Sequence, residues 1–180
     1  MRNRYILNMV LIRLRLLCFK RKLLMATRND LDNTIRVGIS RYLLGQKVRF
    51  DTGHKHDRYI TAVLGPFFRF IPVCPELEVG MGVPREPLRL EGTADAPRMI
   101  GEVTRIDWTN RMNRYSKQRI HRRDLAALDG YILKKNSPSC GMERVEVYGK
   151  SGMPAKNGVG LFAAALLDRF PLLPVEEEGR

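Results

Sequence analysis

The chain has 180 residues, of which 44% are hydrophobic, 28% charged and 8% aromatic, a composition typical of one soluble globular domain. That composition excludes disordered, collagen-like and coiled-coil proteins. The three cysteines exclude a disulfide scaffold and indicate a reducing, cytoplasmic location. A formal net charge of +13 indicates a nucleic-acid or other anionic partner, provided that the charge belongs to the folded domain.

The first 28 residues carry eight of the 32 basic residues and none of the 19 acidic ones, so a net charge of +5 remains for the rest. The longest uncharged run, residues 5–12, falls short of the roughly 20 apolar residues that span a bilayer, and we expect no stable membrane span. Arg13 and Arg15 interrupt any signal-peptide core. Three interpretations remain: a basic amphipathic helix at a membrane surface, an organelle-targeting leader, or a stretch added by a wrong start codon. We favour the last, with Met25 as the start.

We divide the chain into this basic leader, residues 1–30, and one domain, residues 31–180. Apolar periodicity and turn residues predict the elements of the domain. In chain order they are a buried strand at 35–39, a helix at 57–68 with Ile60, Val63 and Leu64 on one face, a strand at 69–74, a loop at 75–85, a minor hairpin at 88–90 and 98–102, a helix at 109–127, a buried strand at 131–134, an exposed strand at 144–148, an apolar helix at 158–170 and a polar tail at 171–180. Strands that alternate with helices indicate an α/β fold with a mainly parallel sheet.

The helix expected at 109–127 has one apolar and one basic face. The basic side chains are Arg111, Arg114, Lys117, Arg119, Arg122 and Arg123. Each phosphate that such a face neutralises adds salt-dependent affinity, and Trp108 and Tyr115 are able to stack on bases. The face is therefore a nucleic-acid candidate, although a merely solvated helix face is the alternative that we favour.

Three loops follow predicted strands at the edge where ligands bind in open parallel sheets. They are residues 40–45, 74–76 and 136–141. Two of them hold a cysteine just past the strand, Cys74 and Cys140. Spacing alone favours small buried hydrophobic residues over metal ligands, and no Cys-x-x-Cys motif indicates zinc. Glu76 and Ser137, however, place groups that handle protons beside the two thiols.

Other common sites are not indicated. His54 and His56 have the spacing of a shared metal site, but no third ligand accompanies them, so we do not expect zinc there. The run Gly158-Val159-Gly160 lacks the third glycine and the acidic partner of a dinucleotide fingerprint. We interpret that run as a helix start.

Several motifs occur in a fixed order over roughly residues 33–178. They are Val37-Gly38-Ile39-Ser40 with Leu43-Leu44-Gly45, Val48-Arg49-Phe50-Asp51-Thr52-Gly53-His54-Lys55, Val73-Cys74-Pro75-Glu76, Val83-Pro84-Arg85 and Ser137-Pro138-Ser139-Cys140-Gly141-Met142-Glu143. In these motifs the chain resembles the TudS-like thiouracil desulfurases, long catalogued as a domain of unknown function. The nearest branch is the YbgA-like proteins, in which this domain precedes a helical one. We therefore expect the N-terminal domain only, without its C-terminal helical domain, as in a gene fragment.

The resemblance implies a Rossmann-like three-layer sandwich that holds a four-iron four-sulfur cluster on three cysteines. The fourth iron is left open to take sulfur from a thiolated uracil base, nucleotide or tRNA, without net redox change. By the same resemblance Cys74 and Cys140 are cluster ligands, Glu76 transfers protons and Ser137 positions the substrate. The positions that match substrate-binding residues are Ser40, Asp51, His54, Lys55 and Ser139.

The first family motif departs from its pattern. Tyr42 stands where the first ligand cysteine belongs, and Arg41 replaces a small residue beside it. A tyrosinate is a harder and bulkier ligand than a thiolate, and its ordinary pKa near 10 makes deprotonation costlier. Cys18 lies 24 residues upstream of Tyr42 in the leader and is not an expected substitute. We expect an impaired desulfurase, and the alternative is a non-catalytic RNA- or nucleotide-binding remnant of the family.

Overall fold

The computed structural model describes residues 34–46 and 56–179, so the leader lies outside the described residues. The described strands are β1 (Ile35–Ser40), β2 (Phe68–Val73), β3 (Leu88–Gly92), β4 (Pro97–Gly101), β5 (Gly130–Leu133), β6 (Val145–Tyr148), β7 (Pro154–Gly158) and β8 (Val175–Glu177). They form a parallel sheet of order β2-β1-β5-β8 and a mixed sheet of order β4-β3-β6-β7. The expected α/β fold is confirmed.

The described helices are α1 (Pro75–Glu78), α2 (Thr109–Ile120), α3 (Arg123–Ala126) and α4 (Leu161–Arg169), with 3-10 turns at Arg41–Leu44 and Gly65–Phe67 and a π-helical turn at Tyr59–Leu64. In the part of the chain that the structure describes, no helix is long and apolar enough to cross a membrane. The apolar helix expected at 158–170 is α4, which begins directly after Gly160.

The parallel sheet is covered on both faces. Tyr131 and Leu133 of β5 pack against Phe162 of α4 on one face. On the other face Ile39 of β1 packs against Leu43 and the π-helical turn. Side chains that alternate along a strand point to opposite faces, which explains why β1 and β5 read as continuous apolar runs in the sequence.

The mixed sheet packs against α2 and α4 through a separate hydrophobic cluster. Val145 and Val147 of β6 contact Met112 of α2 there. We expected β6 to be exposed, and this is correct only for the face that carries Glu146. The expected minor hairpin is the antiparallel pair β3 and β4.

The strands expected at 35–39, 69–74 and 131–134 are confirmed as β1, β2 and β5. Pro72 lies in β2, which is an edge strand of the parallel sheet. A proline is tolerated there because the outer side of an edge strand needs no ladder hydrogen bond.

The segment expected as a helix at 57–68 is helical but irregular. A π-helical turn at Tyr59–Leu64 is followed by a 3-10 turn at Gly65–Phe67. The proline in the second turn has no N–H, so it cannot bond back to the preceding turn. Of the expected inner face Ile60 is buried, but Val63 is 47% exposed, so its assignment to that face is wrong.

The helix expected at 109–127 is two helices, α2 and α3, separated at Arg122, whose backbone is extended (φ −66°, ψ 144°). Arg119, which we expected on the basic face, is only 6% exposed. Its guanidinium donates two hydrogen bonds of 2.8 Å to Asp124 on α3 and one of 3.1 Å to Glu78 on α1. Arg119 therefore joins three helices and does not belong to the basic face.

The segment expected as a polar tail, residues 171–180, contains β8 instead. Glu177 and Glu178 are only 6% and 7% exposed. Glu177 accepts a hydrogen bond of 2.7 Å from the N–H of Met142, and Glu178 accepts one of 2.7 Å from the N–H of Lys135. Buried carboxylates need such donors, and these two tie β8 to the loop that follows β5.

Candidate functional site

The carboxyl ends of three neighbouring parallel strands, β1, β2 and β5, meet at one cavity of about 330 Å³. Ser40 ends β1, Cys74 follows β2 and Lys134 follows β5. The Ser40 hydroxyl accepts a hydrogen bond of 3.1 Å from the N–H of Lys134, which ties two of the strand ends together. The three loops singled out in the sequence therefore come together in space.

The structure brings most of the expected site residues to this cavity. Those that line it are Ser40, Tyr42, Cys74, Glu76, Ser137, Ser139 and Cys140. Asp51, His54 and Lys55 lie outside the described residues, so the structure does not place them. Arg41 and Arg85, to which we assigned no role, also line the cavity.

The loop that carries Cys140 is fastened to the start of α4. The backbone N–H groups of residues 160–163 donate hydrogen bonds of 2.8–3.1 Å to the carbonyls of Pro138, Ser139 and Gly141. The first N–H groups of a helix have no partner inside it, so this loop supplies the acceptors that α4 needs. The position of Cys140 is thus set by a helix start that the sequence marks with Gly160.

The Cys74 loop is held in place by Glu78, the last residue of α1. One Glu78 oxygen accepts a hydrogen bond of 3.1 Å from the Cys74 N–H. The other accepts bonds of 2.9 Å from the Tyr115 hydroxyl and 3.1 Å from Arg119 on α2. Bonds that hold a carboxylate from several directions fix its position, so Glu78 fixes the start of α1 against α2.

A chain of hydrogen bonds joins Glu76 to the Cys140 loop. One Glu76 oxygen pairs with the buried guanidinium of Arg85, and the other accepts a bond of 2.7 Å from the Ser139 hydroxyl. Ser139 lies 3.0 Å from the Ser137 hydroxyl. A hydroxyl has one proton, and because Ser139 gives its proton to Glu76, Ser137 is the donor in that pair. Proton donation therefore runs from Ser137 through Ser139 to Glu76.

Two contacts of this hydrogen-bond network were not predicted from the sequence. Ser139 contacts Glu76, and its oxygen also lies 3.6 Å from the Cys140 sulfur. The Ser137 hydroxyl accepts the N–H groups of Ser139 and Cys140 at 3.3 and 3.1 Å and so shapes the turn. Arg85 is a motif residue, but its partner Glu76 is nine positions away across a loop, so only the fold reveals the pair.

Both thiols of the cavity are protonated at neutral pH. Burial, and after it the negative charge of Glu76, raises the pKa of Cys140 to about 12. The same two causes raise the pKa of Cys74, and the positive charges of Arg85 and Arg41 oppose that rise. Both sulfurs are therefore buried, neutral and close to a carboxylate unless a metal displaces their protons.

The metal-free protein is expected to lose stability in alkali through Cys140. Its pKa is about 12 in the folded chain against an ordinary 9.0, so the contribution is complete below pH 9 and is lost as the pH rises towards 12. By about pH 10.5 the loss is about 2 kcal/mol. Urea unfolding of wild type and Cys140→Ala between about pH 8 and 10.5 measures it, and equal slopes for the two proteins would contradict it.

Tyr42 and Arg41 occupy the 3-10 turn directly after β1. The half-buried Tyr42 ring packs against the cluster of Ile39 and Leu43 and also lines the cavity. Among the residues that the structure describes, none gives the buried Nε of Arg41 a hydrogen-bond partner. Large side chains therefore stand at the cavity edge, where the resemblance noted in the sequence implies a small residue and a cysteine.

The donor atoms at the cavity do not fit a cluster held by three thiolates. Cys74 and Cys140 are the two thiols of the described residues, and Tyr42 lines the same cavity with a phenol. Within those same residues no group of three histidine, cysteine, aspartate or glutamate side chains is arranged to hold a metal ion. Thiolates are the usual ligands of iron–sulfur clusters, and the described residues supply two of them at this cavity.

Two comparisons with known proteins gave a match. A family described as 2-thiouracil desulfurase matches residues 37–178. A solved structure described as the 4Fe-4S-dependent thiouracil desulfidase TudS is similar, with 27% sequence identity and a TM-score of 0.62. The match covers 81% of this chain and 91% of that one. No curated protein matches the chain.

Proposed function

The chain belongs to the 2-thiouracil desulfurase family, and we propose that it is a desulfurase for thiolated uracil bases or nucleotides with an activity that Tyr42 keeps low. One observation carries the proposal: Cys74, Cys140, Glu76 and Tyr42 line a single cavity. By the resemblance, Tyr42 stands where a ligand cysteine belongs. The similar TudS structure is described as cluster-dependent, so the ligand set of this cavity is what limits activity.

The cavity has the size and lining for a pyrimidine. Its volume of about 330 Å³ lies at the lower end of the roughly 300–1,000 Å³ found for small-molecule sites. Apolar side chains of Val73, Pro75, Pro87 and Leu88 line part of its wall, and hydroxyl and carboxylate groups line the rest. Apolar walls suit the faces of a flat base, and the polar groups suit its edge.

The chemistry requires proton transfer at this polar edge. Desulfuration of thiouracil consumes one water and releases hydrogen sulfide, so oxygen from water replaces sulfur on the ring carbon and protons move to the sulfur. Glu76 takes a proton from the water and returns it to the departing sulfur, and Ser139 is the hydroxyl in contact with Glu76 through which the proton passes. Arg85 holds the Glu76 carboxylate in place.

Weak cluster binding follows from the ligand set. Iron–sulfur clusters favour the soft sulfur of a thiolate over the harder oxygen of a phenol. Tyr42 therefore replaces a strong ligand with a weak one. We expect a chain that binds the base but assembles little cluster.

Sulfide release from 2-thiouracil tests this function. The full chain is incubated anaerobically with iron and sulfide, freed of excess sulfide, and mixed with 2-thiouracil. We expect slow release that Glu76→Gln lowers, because the variant cannot transfer the proton, and that the exposed-site control Lys150→Ala leaves unchanged. No release by either wild type or Tyr42→Cys would contradict the proposal and favour a non-catalytic RNA- or nucleotide-binding protein.

A further inference from the structure

One exposed surface has a strong positive charge that the proposed reaction does not use. It consists of the outer side of α2, the turn that follows it and the first residue of α3, and we call it the basic face. Its members are Arg111, Arg114, Lys117, Arg122 and Arg123. All five side chains are exposed, whereas Arg119 of the same helix is buried.

Carboxylates do not neutralise this face. Among the described residues Arg114, Lys117, Arg122 and Arg123 form no ion pair, and the nearby acids have other partners. Glu78 and Asp124 both bind Arg119, and Asp107 binds Arg98. The face therefore keeps its full positive charge in the folded protein.

The arrangement of the charges is unfavourable for an isolated helix. Arg111, Arg114 and Lys117 follow at intervals of three, so like charges lie next to one another on one side of α2. Arg111 is in the first turn, which has no acidic residue, although the positive end of the helix dipole lies there. A bound polyanion would relieve both sources of repulsion.

The face adjoins the element that carries Glu76. Arg111 stacks on the ring of Trp108, with 4.8 Å from its guanidinium carbon to the ring centre, and donates a hydrogen bond of 3.4 Å to the Val79 carbonyl. Val79 directly follows α1, which begins at Pro75 beside the cavity. A ligand on the basic face thus lies one short helix away from the candidate site.

The polar character of the face indicates nucleic acid rather than membrane. The exposed residues between its cations on α2 are Asn110, Asn113 and Gln118, all of them polar. A helix that binds a membrane surface needs apolar side chains beside its cations to enter the bilayer, and this face presents none among the exposed positions of α2. Arginine, lysine and amide side chains are the usual partners of phosphate oxygens.

We propose that the basic face binds the phosphate backbone of RNA. The binding itself stands on the charge and exposure of the face. The choice of RNA over DNA rests on the proposed function, because uracil is a base of RNA.

The test compares two triple variants of the full chain that lose the same charge. Arg114→Ala/Lys117→Ala/Arg122→Ala alters the basic face, and the control Arg58→Ala/Lys150→Ala/Lys156→Ala alters exposed cations elsewhere. Binding of a fluorescein-labelled, unmodified RNA stem–loop is measured by anisotropy over a range of salt. We expect the slope of log affinity against log salt to fall by about 2–3 in the first variant, because each lost phosphate contact removes about 1.

The control is expected to keep the wild-type slope. Both variants retain the eight cations of residues 1–28, so any difference between them comes from the face. Equal slopes in the two variants would overturn the proposal, as would binding to phosphatidylserine vesicles with none to the RNA. Sulfide release from free 2-thiouracil is expected to be the same in both variants, and this separates failure of RNA binding from failure of the proposed function.

Discussion

Replacing Tyr42 by cysteine is expected to produce a chain that assembles an iron–sulfur cluster and releases sulfide from 2-thiouracil at least about 100-fold faster than wild type. The expected size of this increase comes from metal sites in general. There, mutation of residues that do not bind the metal themselves already alters metal affinity or activity by about 10–100-fold. A ligand itself has at least that effect. The substitution gives the cavity a third thiol beside Cys74 and Cys140.

The local structure favours this gain. Tyr42 lies in the 3-10 turn directly after β1, only half-buried, so a smaller side chain there leaves the strand and the turn intact. The ring does pack against Ile39 and Leu43, and its removal is expected to cost about 1–2 kcal/mol of stability. That loss is small compared with the free energy that binding of a cluster adds to the folded state.

Iron and acid-labile sulfide content, together with visible absorption, measure the result after anaerobic reconstitution. Tyr42→Ser is the matched control, because it opens the same space without a thiol. If Tyr42→Ser binds as much iron as Tyr42→Cys, the third thiolate is not the missing element. If Tyr42→Cys binds no more iron than wild type, the assignment of the cavity as a cluster site is contradicted.

The parts of the fold that the sequence predicted are those with local signals. Apolar, β-branched runs mark β1 and β5, and the rule that parallel strands end at one edge brought Cys74 and Cys140 together. The burial of Arg119 also had a signal, since it lies seven residues after Met112 and three after Ser116, both on the buried face of α2. Because arginine is charged, the sequence analysis assigned Arg119 to the basic face and not to the buried one.

The parts that were missed depend on partners distant in sequence. Glu177 and Glu178 were interpreted as part of a polar tail, because the N–H groups that donate to them belong to a loop 35 and 43 residues earlier. In the same way the motifs named Glu76 and Arg85 but not their ion pair. Hydrogen-bond partners across a fold leave no periodic pattern, so residue roles in the site came from the family resemblance and their geometry from the structure.

Gly160→Ala is expected to destabilise the protein by about 3 kcal/mol and to disturb the Cys140 loop, because over-packing a tight site costs about 1–3 kcal/mol and more where the neighbours cannot move. A Cβ on Gly160 would lie 2.5 Å from the carbonyl carbon of Ser139, 2.6 Å from its oxygen and 2.7 Å from the nitrogen of Cys140. All three are backbone atoms, and they cannot rotate away as a side chain can. The backbone of Gly160 itself (φ −64°, ψ 142°) suits any residue, so the cost is steric.

Gly149→Ala is the matched control for that prediction, since a Cβ there meets nothing within 4 Å. It is expected to change stability by less than about 1 kcal/mol. Urea unfolding compares the two variants, and the rate of alkylation of Cys140 in the folded state reports the loop. The first N–H groups of α4 lose their acceptors when the loop is pushed aside, so destabilisation and faster alkylation are expected together. Equal urea midpoints for Gly160→Ala and Gly149→Ala would show that the loop yields freely, and the anchoring of Cys140 by α4 would then be wrong.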